Sequence, residues 1–183
     1  LKSEHGTMKK LSIEELGRIS VREFRERDKL PVCILLDNVR SLHNVGASFR
    51  TADAFALEKI ILTGITGRPP HREIQKTALG ATESVAWEYV RDPVQAIIEL
   101  KNRGYTIVVV EQTTESMELQ SFVPEDGSKY CLVFGNEVNG ISEAVIARAD
   151  LALEIPQAGT KHSLNISVCL GIVSWEFFKM HAR

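Results

Sequence analysis

The chain has 183 residues, enough for one ordinary globular domain and short for two. Hydrophobic residues make up 44% and charged residues 25%, which excludes disordered, collagenous and coiled-coil classes. Lys plus Arg total 22 against 24 Asp plus Glu, so the formal charge is −2, and any nucleic-acid partner must be held by a local basic patch rather than by bulk charge.

In chain order, residues 1–30 read as a short charged arm. Arg18, Arg22, Arg25, Arg27 and Lys29 interleave with Glu23, Glu26 and Asp28 there, the pattern of a solvated helix of mixed charge, with a phosphate-facing basic edge as the alternative. From residue 31 short apolar runs alternate with helical stretches, and residues 31–183 read as one domain. Val32 to Leu36, Lys59 to Leu62, Ser84 to Val90, Tyr105 to Val110, Tyr130 to Phe134 and Leu151 to Ile155 are the predicted strands. Asp92-Pro93 opens a helix and Gly104 stops it. Apolar strands separated by helices predict an α/β fold, a mostly parallel sheet of about six strands with helices on both faces.

Cys33, Cys131 and Cys169 are an odd number without a C-x-x-C pair, which argues against a disulfide framework and a zinc site. No apolar run reaches the roughly 18 residues of a membrane helix. The N-terminus lacks a signal-peptide pattern. The expectation is a cytoplasmic protein with no membrane association and no metal.

Nucleotide-binding patterns fail one by one. Gly135-Asn136-Glu137-Val138-Asn139-Gly140 has the glycine spacing of a P-loop, but Ile141-Ser142 follows where a lysine must reach the phosphates. Asp37-Asn38-Val39-Arg40 after the first strand is no glycine-rich dinucleotide turn. Polar residues instead concentrate at three strand-to-helix junctions: Leu36 to Arg50, Leu132 to Ser142, and Leu153 to Gly159 running into Ser163–Val168. These are the positions at which an α/β sheet places its ligands. Read singly, each has a bland account. Asn44 suits a helix N-cap and Arg50 a solvated helix face. Gly135 and Gly140 suit a turn with Glu137 at a helix start, and Ser163 suits another cap.

Taken together, in order, the three segments resemble the SpoU (TrmH) family of RNA ribose 2′-O-methyltransferases within the SPOUT superfamily. Asn44 and Arg50 match its Asn-x5-Arg motif. Gly135, Glu137 and Gly140 match Gly-x-Glu-x-x-Gly, and Ile155-Pro156 followed by Ser163-Leu164-Asn165 matches the third motif. Gln157 departs from the methionine common there. The resemblance implies S-adenosylmethionine as cofactor, touched by Gly135, Gly140, Ile155, Gln157 and Leu164. It implies a catalytic set of Arg50, Asn44, Glu137, Ser163 and Asn165, with Glu137, Ser163 and Asn165 orienting Arg50, the RNA phosphate or the methionine end. An ordinary guanidinium stays protonated, so physics favours Arg50 as a phosphate clamp rather than a base. His43 and His162 adjoin the motifs and are taken as exposed or RNA-facing. The resemblance further implies RNA as partner, transfer RNA ahead of ribosomal RNA, a homodimer, and a deep trefoil knot at the C-terminal end. A base methyltransferase and a non-catalytic RNA- or adenosyl-binding module are the alternatives.

From Ser163 to Phe178 ten of sixteen residues are apolar and only Glu176 is charged. A helix of that kind needs cover on more than one side, and a second subunit is the natural second cover. Phe177 is taken as one of its outward apolar positions.

Overall fold

The computed structural model describes residues 8–12, 14–161 and 163–181. A short helix α1 (Val21–Glu26) precedes β1 (Leu30–Asp37), α2 (Leu42–Ala54), β2 (Leu57–Thr63), α3 (Arg72–Ala78), α4 (Ala81–Ser84) and β3 (Ala86–Val90). Then come α5 (Pro93–Asn102), β4 (Tyr105–Val110), β5 (Met117–Glu118), β6 (Lys129–Phe134), α6 (Glu143–Ile146), β7 (Leu151–Glu154) and α7 (Ile166–His181). All ladder pairings are parallel, in the order β3-β2-β1-β6-β4-β7-β5. The six expected strands form. The seventh, β5, is a two-residue edge strand paired with β7. Ser84 belongs to α4 rather than to the strand that follows.

Successive residues of a strand point to opposite faces, so the central apolar runs feed two cores. Val32, Ile34 and Leu36 of β1 pack in one layer with Phe49 of α2 and Val173 and Phe177 of α7. Cys33 and Leu35 pack in the other with Ile97 and Leu100 of α5 and Val145 of α6. Helix α5 starts as its sequence dictates: the Asp92 side chain caps the Val94 N–H at 2.9 Å and Pro93 occupies the first turn.

Three expectations change. The arm is not wholly solvated: α1 carries a Ser20–Glu23 capping box, Phe24 is buried, and Arg25 donates to the Glu83 carbonyl. The last helix begins at Ile166 rather than Ser163, because Asn165 caps it by accepting the Ser167 N–H at 2.9 Å. Phe177 points inward, fully buried, with its ring 5.2 Å from Tyr130 and 5.6 Å from Phe122. An all-apolar helix gives no sequence signal of which side faces out.

Because the strands are parallel, the chain segments that leave β1, β4, β6 and β7 all emerge at one end of the sheet. Register places Leu36 beside Phe134, and Val110 beside Leu153. Residues 38–41, 111–116, 135–142, 155–161 and 163–165 therefore converge on one edge. Among the described residues no helix is long and apolar enough to cross a membrane.

Candidate active site

The segment after β6 is folded back on itself. The Asn136 N–H donates to the Gly140 carbonyl and the Gly140 N–H to the Asn136 carbonyl, each at 2.9 Å. The Asn136 side-chain oxygen accepts the N–H groups of Val138 and Asn139, which closes the turn locally. Gly140 has φ +68°, a left-handed conformation that favours glycine. At Gly135 a Cβ would lie 2.2 Å from the Ile141 nitrogen and 2.3 Å from the Gly140 carbonyl carbon, so the two sides of the turn touch through backbone.

The turn is fixed to β1 from two directions. Buried Asp37 accepts the Ser142 N–H at 2.9 Å and its hydroxyl at 2.8 Å, and Asn136 donates its amide to the Asn38 carbonyl at 2.7 Å. Glu137 then ties down the start of α2. One of its oxygens accepts the Arg40 N–H and the other accepts both the Ser41 N–H and Asn44 Nδ2, all at 2.9 Å. Burial pushes the Glu137 carboxyl up, but these three donors pull it down by more, leaving it below its ordinary value. Asn44 is buried, and its Oδ1 accepts Asn165 Nδ2 at 3.3 Å. The N-cap of α2 is Ser41, whose hydroxyl accepts the Asn44 N–H at 3.2 Å, which leaves the Asn44 side chain free for this network.

The structure thus brings Asn44, Glu137 and Asn165 into one hydrogen-bonded chain. Beside it lies a cavity of about 650 Å³, within the range of small-molecule sites. Gly135, Glu137, Gly140, Ile155, Gln157, Ser163, Leu164 and Asn165 all line it. Arg50 is not brought to this chain. It stands exposed on α2, six residues beyond Asn44 and about 120° away round the helix axis, its side chain without a hydrogen bond or ion pair among the described residues. His43 is exposed, its Nε2 2.9 Å from a Glu73 oxygen; His162 lies outside the described residues.

Sequence reasoning passed over three lining or supporting groups: Asp37, Glu111 and Cys169. The available signal was position, an acid at the carboxyl end of a buried strand in an α/β sheet. Burial first, and then the negative charge of Glu111, push the Cys169 thiol up to about 11. Only about one part in a thousand is thiolate at pH 8, against roughly a quarter for a free cysteine. Iodoacetamide at pH 8 is therefore expected to alkylate Cys169 at least ~100-fold more slowly than a small-molecule thiol. Glu111→Gln should quicken it; peptide mapping by mass spectrometry reads both rates.

Comparison with known proteins agrees with this geometry. The model of the SpoU rRNA Methylase family matches residues 31–175. A tRNA (guanosine(18)-2′-O)-methyltransferase of Aquifex aeolicus is 34% identical over 157 residues, covering 85% of this chain and 72% of its own length. A 23S rRNA (guanosine-2′-O-)-methyltransferase of Neisseria meningitidis is 31% identical over 143 residues, and the match spans 78% of this chain and only 56% of that one. Among solved structures, the A. aeolicus TrmH/SpoU tRNA modifying enzyme superposes with a TM-score of 0.79 at 31% identity, covering 88% of this chain and 81% of that one. The AdoMet-bound rRNA methyltransferase of Sinorhizobium meliloti gives 0.75 at 26% identity, covering 88% and 61%. Sheet, glycine turn and family model coincide on the same residues, and the chain belongs to the SpoU rRNA methylase family.

Proposed function

We propose that this chain is an S-adenosylmethionine-dependent RNA methyltransferase that modifies a ribose 2′-hydroxyl, with transfer RNA as the favoured substrate. The observation that carries the reading is the cavity opening directly beside the hydrogen-bonded chain of Glu137, Asn44 and Asn165. The donor set fits an adenosyl ligand: a glycine turn that lets backbone come close, the apolar residues Ile155 and Leu164, and the Gln157 amide, without a cluster of cations for phosphates. Support for transfer RNA comes from the Aquifex enzyme, whose name specifies it.

When bound, S-adenosylmethionine supplies an electrophilic methyl group; the chain's own residues supply alignment. Gly135, Gly140, Ile155, Gln157 and Leu164 hold the cofactor. Asn165 and Ser163 line the cavity, and Asn44 is bonded to the lining residues Glu137 and Asn165. Glu137 is a positioning residue: its three hydrogen bonds hold the start of α2. Arg50 clamps the RNA phosphate. Cys169 on the cavity wall stays a thiol, which removes a competing nucleophile. Labelled S-adenosylmethionine incubated with bulk transfer RNA, followed by nucleoside digestion, tests the whole reading. Label in 2′-O-methylnucleosides supports it. Label in a base, or binding without turnover, overturns it.

The cradle has its own test. In Gly140→Val a β-branched residue must adopt φ +68° and its Cβ would meet a Glu111 oxygen at 2.4 Å. Strain of about 1–3 kcal/mol falls on the turn, so S-adenosylmethionine affinity measured by calorimetry should drop roughly 5- to 150-fold in a folded protein.

The reading includes a homodimer, a knot and a cytoplasmic setting. Val168, Ile172 and Trp175 are 50%, 38% and 48% exposed and fall at i, i+4 and i+7 of α7, an unusual apolar stripe for a free surface. Trp175 is braced by Phe55 and Phe178 at 5.9 and 5.8 Å. Trp175→Glu should weaken the dimer by at least about 30-fold, as loss of an aromatic anchor does, and shift the sedimentation profile toward monomer. What supports the knot is the path of residues 111–128: they leave β4, pair with β7 through β5 and return to β6, with the Phe122 ring packed 5.6 Å from Phe177 of α7. Buried free Cys33 and Cys131 suit a reducing compartment.

A further inference from the structure

Three carboxylates line the cavity among the described residues: Glu111, Glu137 and Glu154. Glu137 is committed to the start of α2, and Glu154 accepts the Ser116 hydroxyl at 2.8 Å. Glu111 differs. One of its oxygens accepts the Ile141 N–H and the other the Gln112 N–H, each at 3.1 Å, and it forms no ion pair among the described residues. A carboxylate offers about four acceptor sites, so each oxygen keeps a lone pair beyond these backbone bonds. The Glu111 backbone N–H is itself held by the Leu153 carbonyl at 3.0 Å, which fixes the residue above β4. A half-buried acid with spare acceptors and no cation, on the wall of a ligand cavity, calls for a donor from the ligand.

We propose that Glu111 binds the ribose hydroxyls of the cofactor's adenosine and so sets the position of the methyl group. The inference rests on the methyltransferase reading and goes beyond the residues matched by the family's motifs. The order of strands supplies the reason for ribose rather than another part of the ligand. β7, β4, β6 and β1 are successive neighbours, so the site spans three inter-strand steps, about 14 Å. Ile155 and Gln157, suited to adenine, follow β7; Asn44, bonded to the lining residues Glu137 and Asn165, follows β1 and marks the end to which this reading delivers the methyl. Ribose lies between adenine and sulfonium in the molecule, as β4 with Glu111 lies between these two ends of the site. A cis-diol brings two O–H donors to two oxygens, the pairing by which acidic residues hold ribose elsewhere in α/β folds.

The test is a thermodynamic cycle read by calorimetry on the whole chain, with S-adenosylhomocysteine and its 2′,3′-dideoxyribose counterpart as ligands. Glu111→Gln keeps an oxygen for the Ile141 N–H while losing the charge. Wild type should lose roughly 10- to 100-fold in affinity when the hydroxyls are removed, and Glu111→Gln should lose a similar factor with the parent ligand. The variant should then be nearly indifferent to the hydroxyls. Equal affinity of wild type for the two ligands overturns the assignment, and this arm needs no variant. So does a Glu111→Gln protein that discriminates between them as strongly as wild type. A variant weakened only toward S-adenosylmethionine would place the carboxylate at the sulfonium and also overturn it. Wild type that binds neither S-adenosylmethionine nor S-adenosylhomocysteine sinks the methyltransferase reading itself, and the ribose assignment with it.

Discussion

Replacing Glu137 by alanine is expected to lower methyl transfer by about 100-fold or more while leaving a folded protein, because one carboxylate aligns the whole entrance of α2. Three donors aim at its two oxygens: the Arg40 and Ser41 N–H groups and the Asn44 amide. Arg40 is exposed and Ser41 partly so, and water can take over their N–H groups; the stability loss should stay near 1–2 kcal/mol. Asn44 is buried, and losing its partner frees the amide that Asn165 also holds. Glu137→Gln is the more telling variant. A glutamine presents one oxygen and one NH2, and wherever the NH2 lies it faces an N–H donor. Gln should therefore rescue little, although it matches Glu in size. Single-turnover methylation at saturating cofactor measures both variants, and wild-type rates in Glu137→Gln would remove the carboxylate from the positioning role.

The same geometry sets a pH dependence. The Glu137 carboxyl lies below its ordinary value of 4.5 in the folded chain, so the ionised form contributes stability above that value. That contribution is lost only as pH falls through the lower, folded-state value. Any loss of activity between pH 6 and 8 must then come from a different group. In Glu137→Ala the acid side of the stability curve should flatten relative to wild type, which chemical denaturation between pH 3 and 6 would show.

How far the sequence speaks depends on the range of the interaction. β1 is legible because a central parallel strand is buried on both faces and reads as the unbroken run Val32 to Leu36. β5 is not, because two exposed residues at a sheet edge carry no pattern. The Gly135–Gly140 turn is legible because its constraint is local: a left-handed residue and a contact too close for a Cβ. Glu111 is different, since it matters only once β6 has brought Ile141 beside the end of β4. Asp37 is likewise read as the polar end of a strand until Ser142, more than a hundred residues away, folds onto it. Phe177 and Trp175 share one apolar helix, yet the first fills the core and the second faces outward. Only the packing against Tyr130 and Phe122 separates them.

Arg50→Ala is expected to reduce turnover by at least about 100-fold with S-adenosylmethionine affinity nearly unchanged, the loss typical of a positioned charge donor. Two structural facts make the expectation sharp. Arg50 does not line the cavity, and among the described residues its side chain makes no hydrogen bond and pairs with no acid. Its removal should therefore leave folding and cofactor binding alone, since an exposed, unpaired charge contributes little to stability. What remains is an unpaired guanidinium on the helix that also carries Asn44, available to an RNA phosphate. If it makes that contact, the slope of log affinity for RNA against log salt should fall by about 0.7 to 0.9 in Arg50→Ala, one phosphate's worth of released counterion. Arg50→Lys keeps the charge but loses the planar fork, so it should restore the salt slope while rescuing little of the rate. A solvated arginine with no role predicts wild-type rate and slope in both variants, and that result would sever the Asn-x5-Arg pattern from the chemistry of this chain.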